Sequence, residues 1–272
     1  MTTATLSHRA ASPARGRYGF RTVARMEWQK LRTVRSTWYI VAVFAAGMIA
    51  VALLVLSNEN YAQLSAADRA SFDPTSSSLL GLVLGQFLLG ALGVLAITTD
   101  FSSGMIRATF AAAPRRPLVL AAKAAVLGAL TLAAGEISAF AAFLVGQAAL
   151  KAPAPHAALG QPGVLRAVLM AGAYPALIAL IGLGIGAIIR HSAGAICALV
   201  GVVFVLPLLV SALSPSTQNA VQKFLPDTMR NSLTAVKPIA HMLSPGLTFC
   251  LLCGYAVVAL AAGAWALASR DA

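Results

Sequence analysis

Long apolar runs alternate with short polar segments along almost the whole chain. Six of these runs contain the roughly 20 mostly apolar residues that a helix needs to cross a bilayer. Because backbone amides in lipid must pair within their own segment, each run predicts a transmembrane helix. The runs are Trp38–Leu56, Leu79–Ile97, Leu118–Leu150, Val164–Ile189, Ala193–Leu213 and Leu247–Ala268.

A different pattern precedes the first run. From Phe20 to Trp38, apolar residues recur every three to four positions, and Arg21, Arg25 and Arg32 are grouped beside them. This periodicity predicts an amphipathic helix that lies along the membrane surface, with Trp28 at the level of the lipid headgroups.

Glu27 interrupts the apolar face of this helix, and its role has two interpretations. The carboxylate can pair with Lys30 one turn further along the same helix, as oppositely charged residues at this spacing do. It can instead pair with a group on another part of the protein. Both interpretations stay open at the level of the sequence.

A second amphipathic stretch, TTDFSSGMIRATFAAAPRR, lies between the second and third runs. It predicts a short helix over Asp100–Ala113, because Asp100 or Ser102 can cap its start and Pro114 ends it. Such a helix between two spans either contacts another protein or rests in the lipid headgroups. Its broad apolar surface consists of Phe101, Met105, Ile106 and Phe110, and its narrow polar edge of Ser103 and Arg107.

The composition places this chain in a bilayer rather than in water. It has 272 residues, of which 59% are hydrophobic and 10% charged, and its mean hydropathy is +0.82. A soluble domain carries about 25% charged residues and could not hide this much apolar surface in one core. The net charge of +12 therefore marks the cytoplasmic side of a membrane and does not predict a nucleic-acid partner.

The distribution of Lys and Arg predicts the orientation of the spans. Of the 20 Lys and Arg residues, 14 lie in the N-terminal leader, every second connection and the tail, and 6 lie in the remaining connections. Because Lys and Arg are retained inside, both termini and the Asp100–Pro117 segment are predicted to be cytoplasmic. Residues 1–18 predict a disordered basic arm, and residues 19–272 predict a single all-α membrane domain.

The sequence contains no pattern for catalysis or for binding a cofactor. The four His and three Cys residues are scattered, and HExxH, GxSxG and clustered carboxylates do not occur, so we predict neither an enzyme nor a metal site. The phosphate-binding pattern GxxxxGK[ST] is also absent from the sequence. ATP could therefore drive transport only through a separate polypeptide.

Glu136 is the acidic residue that lies midway along a predicted span. An ionisable group at this depth is costly unless it faces a cavity or a partner. It is therefore either an acid that lines a transport pathway or a structural acid hydrogen-bonded to a neighbouring helix. Gln86 is a weaker candidate for lining the same pathway. A channel or secondary carrier that uses Glu136 is the alternative to transport driven by ATP.

The order of these elements resembles that of the ABC-2 type permeases, the membrane subunits of bacterial ABC exporters. The resemblance rests on EWQKLRTVRSTWY at Glu27–Tyr39, on TTDFSSGMIRATFAAAPRR, on the six spans and on a long loop before the last span. It covers nearly the whole chain after the basic arm, and the order and placement of the motifs carry it.

The resemblance implies a protein of the bacterial plasma membrane that exports a substrate when a separate P-loop ATPase subunit works beneath it. It also implies a second permease copy, identical or different, as a partner. The interface helix of the family matches Phe20–Arg35, with Glu27, Trp28, Lys30 and Arg32 as its candidate residues. The coupling helix that docks on the ATPase matches Asp100–Ala113. Its candidate contact residues are Asp100, Phe101, Met105, Ile106, Arg107 and Phe110.

Overall fold

A computed structural model describes residues 19–112, 115–237, 239 and 241–269, so the predicted basic arm at 1–18 lies outside the described residues. Within the described part, every regular element is helical, which confirms the predicted all-α class. In chain order the helices are α1 (Phe20–Thr33), α2 (Arg35–Asn58), α3 (Ala66–Ser71), α4 (Pro74–Ser78), α5 (Leu82–Ser102), α6 (Met105–Ala112), α7 (Arg116–Ala149), α8 (Val164–Ile189), α9 (Ser192–Val200), α10 (Leu206–Ser211), α11 (Pro215–Val221), α12 (Pro226–Thr234) and α13 (Pro245–Ser269).

The six predicted spans are present as helices. The helices α2, α5, α7, α8 and α13 and the α9–α10 unit are each long and apolar enough to cross a membrane, as expected of a multi-pass membrane protein. The longest is α7, with 34 residues. Its first turns, which include Lys123, extend it beyond the ~20 residues that a bilayer requires.

The fifth span is not a uniform α-helix. Between α9 and α10, residues Gly201–Val205 form a π-helical turn, and Pro207 follows it directly. The proline nitrogen carries no hydrogen to donate, and the ring clashes with the carbonyl four residues earlier. The wider π turn makes room for the ring, so the span adapts to Pro207 by a local change in helix type.

The long helices alternate in direction, which gives the bundle two ends. We call the end that holds α1, α6 and the last turn of α13 the α1 end. The opposite end, which we call the loop end, holds residues 59–81, 150–163 and 212–237. Two contacts of α7 mark the two ends. At the α1 end, Arg116 donates to the Leu267 carbonyl oxygen in α13. At the loop end, Gln147 donates to the Ser78 hydroxyl.

The centre of the bundle is α8, which packs against α5, α7 and α13. In its most apolar stretch 67% of the residues are buried, against 22% in α2, in the α9–α10 unit and in α13. The three less buried spans consequently turn most of their apolar side chains outward, toward lipid or toward another protein.

Close backbone contacts hold α5 and α7 against α8. A Cβ atom on Gly93 would lie 1.9 Å from the Ala179 carbonyl oxygen, and one on Gly135 would lie 2.1 Å from that of Gly172. Gly182 belongs to the same close contact between α5 and α8, since a Cβ atom on it would lie 2.4 Å from the Gly90 carbonyl oxygen. Such distances exclude any side chain larger than that of glycine, so these residues set the spacing of the central helices.

Part of the long proline-rich loop folds over the loop end as α12. Asp227 of α12 accepts a hydrogen bond from Gln86 Nε2 of α5 at 3.1 Å and lies 3.3 Å from Arg230. The Tyr174 hydroxyl of α8 lies within hydrogen-bond distance of Gln86 Oε1 and of the Pro226 carbonyl oxygen. This buried polar network fixes α12 against two of the central helices.

Replacing Gly93 by Ala should destabilise the bundle, because the added methyl group would collide with the Ala179 carbonyl and push α5 away from α8. Overpacking of this kind costs about 1–3 kcal/mol, which thermal unfolding of the detergent-purified protein would detect. Gly47→Ala in α2 is the matched control, since a Cβ atom there would meet nothing within 4 Å. Equal melting temperatures for the two variants would contradict the close α5–α8 contact.

Candidate functional site

One face of α1 packs on the protein itself. Val23, Glu27 and Leu31, which are spaced by four residues and so share a face, are buried, whereas Trp28 is 42% exposed. Val23 packs against Val119 at the start of α7. The membrane surface predicted for the apolar face of α1 is therefore available to Trp28 but not to the buried residues.

The amphipathic segment is shorter than its periodicity predicts. The prediction of one helix from Phe20 to Trp38 is wrong, because α1 ends at Thr33 and Val34 is extended before α2 begins. The exposed end of α1 is stabilised from α2, since the Trp38 indole donates to the Arg32 carbonyl oxygen at 3.1 Å. This bond satisfies one of the carbonyls that a helix leaves without a partner in its last turn.

Four charged side chains meet at the α1 end, and we call them the ion cluster: Glu27, Lys30, Asp100 and Lys123. Lys123 Nζ lies 2.5 Å from Glu27 Oε2 and 3.0 Å from Asp100 Oδ2. Lys30 Nζ lies 3.0 Å from Glu27 Oε1 and 3.5 Å from Asp100 Oδ2. Glu27 therefore pairs both with Lys30 on its own helix and with a group across a protein contact.

The ion cluster is balanced in charge, and three of its four members are buried, whereas the Lys30 side chain is 25% exposed. Glu27 is 1% exposed, Lys123 4% and Asp100 6%. Lys123 also donates to the Ala96 carbonyl oxygen at 2.8 Å, so each of its three donor positions has an acceptor nearby. Removing one member of a buried ion pair costs about 3–5 kcal/mol, so these residues hold α1, α5 and α7 together only as a set.

Lys123 is a site residue that the hydrophobic pattern does not single out, because it lies at the edge of a long apolar run. A signal for it is nonetheless present in the sequence. Glu27 on an apolar helix face and Asp100 at the end of an apolar run are acids that need a cation, and Lys123 is a cation that needs an anion. These charges indicate that each of the three residues needs a partner, but only the structure shows that they meet one another.

The single helix predicted over Asp100–Ala113 is wrong, since the segment is divided by a turn. The helix α5 continues to Ser102, and α6 begins at Met105. Between them Gly104 has a φ of 70°, a left-handed conformation that a residue without a side chain adopts at little cost. The predicted end at Ala113 lies outside the described residues.

Most of the predicted apolar surface of this segment faces the protein. Asp100 is held in the ion cluster, and Ile106 is only 4% exposed. Phe101 and Phe110 are half-buried and pack against the core. These four residues anchor the segment to the bundle and cannot present a broad apolar face to a partner.

The start of α6 is the part that is exposed. Residues Ser102–Met105 and Ala108 are open to the surroundings, and Met105 is 46% exposed. The hydroxyl of Thr109 on the inner side of α6 accepts a hydrogen bond from Lys30 Nζ at 3.3 Å. The side chain of Arg107 lies outside what the structure describes. The exposed start of α6 is therefore connected directly to the ion cluster.

Two arginine bridges, formed by Arg116 and Arg190, connect the same segment to the end of α13. The Arg190 guanidinium lies 5.1 Å from the centre of the Phe101 ring and donates to the Ala266 carbonyl oxygen at 3.1 Å. The Arg116 guanidinium lies 5.3 Å from the centre of the Phe110 ring and donates to the Leu267 carbonyl oxygen at 2.9 Å. Cations bind favourably at the C-terminal end of a helix, and both arginines use this site.

Gln86 and Glu136, the two candidates for lining a pathway, have different surroundings. Gln86 is 1% exposed, and its amide is occupied by the polar network beneath α12. Glu136 is half-buried at the contact between α7 and α8, and its Oε2 is buried without a hydrogen-bond partner. The structure does not bring the two residues together, and Glu136 alone carries a polar atom that is not used within the chain.

Comparison with known proteins does not assign this chain to a family. No protein-family model matches the sequence, and a search of curated proteins finds no match. Among the described residues, no group of three or more His, Cys, Asp and Glu side chains is arranged to hold a metal ion. The features of the molecule that bear on function are therefore the ion cluster, the exposed start of α6 and Glu136.

Replacing Lys123 by Met should lower the free energy of unfolding by about 3 kcal/mol, because the two buried carboxylates of Glu27 and Asp100 would then share only the partly exposed Lys30. Unfolding of the purified protein in detergent measures the change. Adding Glu27→Gln to Lys123→Met should recover part of the loss, since Lys30 would then face one carboxylate instead of two and the cluster would again be balanced in charge.

The matched control is Lys151→Met at the exposed loop end, which should change stability by less than about 0.5 kcal/mol. If Lys123→Met were as stable as this control, the ion cluster would not be what holds α1, α5 and α7 together.

Proposed function

We propose that this protein is the membrane subunit of an ATP-driven exporter of the ABC-2 type. It would reside in the bacterial plasma membrane with both termini in the cytoplasm and pair with a second permease copy. ATP would be bound by a separate P-loop ATPase subunit. The observation that carries the proposal is the start of α6, which is exposed at the α1 end. It lies there beside the contacts that join α1, α5, α7 and α13.

The exposed start of α6 has the properties of a docking element. It lies between two spans, it is set off from α5 by the left-handed turn at Gly104, and it exposes Met105 and Ala108. Its opposite side is fixed by buried contacts, so a partner that pushes on α6 moves the parts behind it. An exposed helix without such connections could bind a partner but could not pass on its motion.

The contacts behind α6 lead to three spans and to α1. Lys30 joins α6 to α1, and Asp100 and Lys123 continue the path into α5 and α7. Arg116 and Arg190 continue it to the last turn of α13. A displacement caused by ATP binding in a partner would therefore reach both sides of the central helix α8.

The charge distribution supports the proposed orientation. Among the described residues, the α1 end carries Arg21, Arg25, Lys30, Arg32, Arg35, Arg115, Arg116, Lys123 and Arg190 against the two acids Glu27 and Asp100. At the loop end, five cations (Arg69, Lys151, Lys223, Arg230 and Lys237) are nearly balanced by four acids (Glu59, Asp68, Asp73 and Asp227). Lys and Arg are retained on the cytoplasmic side of a membrane. The α1 end would accordingly face the cytoplasm, where a soluble ATPase can reach α6.

An ATP-independent channel or secondary carrier is the second candidate. The observation that favours it is the unpartnered Oε2 of Glu136 within a span. Carriers coupled to ions usually place several ionisable or unwound sites near the middle of the membrane. Asp100, the other acid of the described spans, is neutralised at the α1 end, so Glu136 would have to act without a second acid.

The decisive experiment is purification of the tagged chain from its native cells in a mild detergent. We expect a P-loop ATPase subunit to co-purify in a constant ratio and the complex to hydrolyse ATP. A substitution of the P-loop lysine in the partner is the control for hydrolysis. If transport by the purified chain in liposomes proceeded without any ATPase, the second candidate would replace the first.

Met105→Asp together with Ala108→Asp should abolish ATPase co-purification without changing the melting temperature of the permease. Both side chains are exposed, so the change places charge on the docking surface but not in the core. Val221→Asp, an equally drastic change at an exposed site of the loop end, should leave co-purification intact. Normal recovery of the ATPase with the double variant would exclude the start of α6 as the docking element.

Cysteine labelling tests the orientation. After replacement of Cys197, Cys250 and Cys253 by Ala, single cysteines at Asp68 or Lys223 should react with an impermeant thiol reagent added to sealed cells. One at Ser103 should react only after permeabilisation, because it lies at the α1 end. Labelling of Ser103 in sealed cells would reverse the proposed topology.

A further inference from the structure

Glu136 is a carboxyl group that no described side chain neutralises. Asp100, the other acid within the described spans, is paired with Lys123 and Lys30. No described side chain forms an ion pair with Glu136, and its Oε2 is buried without a hydrogen-bond partner. Because an unpaired buried charge is costly, this site is suited to accept a positive charge from outside the chain.

The carboxyl group lies where α7 and α8 are closest. A Cβ atom on Gly172 of α8 would lie 2.6 Å from both Cδ and Oε2 of Glu136, so the carboxyl group rests on the backbone of α8. The amides of α8 at this level are engaged in the hydrogen bonds of their own helix. Glu136 is roughly 20 Å from the end of α7 at 1.5 Å per residue, so water at the loop end is distant.

The side chains near the carboxyl group are apolar and are exposed on the outside of the helix bundle. Ile137 beside it is 71% exposed, and Leu132, one turn earlier on α7, is 43% exposed. On α8, Leu169 lies one turn from Gly172 and is 44% exposed. A ligand at this position therefore meets one negative charge set in a hydrocarbon surface.

This combination discriminates among cations. Ca²⁺ and Mg²⁺ require several oxygen ligands, and the described residues offer no cluster of acids. A small hydrated cation would gain nothing from the exposed side chains of Ile137 and Leu132. We infer that the Glu136 site binds lipophilic organic cations, in which an ammonium or phosphonium centre carries apolar substituents.

The inference names the substrate class of the exporter and in that respect rests on the proposed function. Binding itself needs only this chain. The carboxylate would neutralise the cationic centre, and the apolar substituents would lie on the exposed side chains of α7 and α8. Because cations of this kind partition into lipid, they could reach Glu136 from the bilayer without crossing the ion cluster.

The test is direct binding of radiolabelled tetraphenylphosphonium to the purified chain in lipid nanodiscs at mildly alkaline pH, with empty nanodiscs as the background. We expect Glu136→Gln to weaken binding about tenfold or more, which corresponds to about 1.4 kcal/mol or more. Glu59→Gln, which removes an acid at the loop end, should bind like the unaltered chain. Triphenylphosphine oxide, which carries the same aromatic rings without a net charge, should not compete.

Glu136→Asp keeps the charge while shortening the side chain, so it should retain most of the affinity. Equal binding by Glu136→Gln and the unaltered chain would overturn the inference, as would equal losses in the Gln and Asp variants, which would indicate packing rather than charge. Loss of dimerisation in Glu136→Gln with unchanged tetraphenylphosphonium binding would instead assign the carboxylate to a contact between two copies.

The result is independent of the ATPase experiment. If the chain binds tetraphenylphosphonium through Glu136 but recruits no ATPase, the proposed exporter fails and the cation site stands. If the ATPase co-purifies and the unaltered chain shows no specific binding, only the substrate class is wrong.

Discussion

The arrangement of the α1 end depends on one buried cation, the Lys123 ammonium. It lies between the carboxylates of Glu27 and Asp100 with the Ala96 carbonyl as its third acceptor. A buried ion is tolerated only where its partners are present and well placed, so this contact constrains α1, α5 and α7 at the same time. The position of α6 is linked to the same cluster, because α6 follows α5 after the turn at Gly104 and its Thr109 hydroxyl accepts a hydrogen bond from Lys30.

The two ends of the bundle are connected through the central helix by contacts of different kinds. At the α1 end, ion pairs join charged side chains of different helices, and the two arginine bridges bind carbonyl oxygens at the end of α13. At the loop end, the network of Gln86, Tyr174 and Asp227 fixes α12 with hydrogen bonds. Between them, backbone contacts such as that of Gly93 leave α5 and α8 little freedom to separate. A displacement at α6 would therefore move these helices as units.

Glu136 differs from the other buried charges. Glu27, Asp100 and Lys123 are neutralised within the chain, whereas Glu136 rests on Gly172 with an oxygen that has no partner. An acid that lacks a partner within the described chain is the position where a bound cation would contribute the most, which is why the proposed cation site lies at Glu136. The role of this carboxyl group also separates the two candidate functions, which are a pump driven through α6 and a carrier driven by a cation.

The sequence by itself determined the six spans and the all-α class, because lipid forces apolar runs of sufficient length into helices. It also marked Glu27 and Glu136 as charges in apolar surroundings. Only the tertiary structure decided that Glu27 meets Lys123 and that Phe101 and Phe110 pack inward beneath arginines. The reason is that periodicity reports which residues share a helix face but not which helix lies opposite. That choice is made by charge pairing and close packing between residues far apart in the chain.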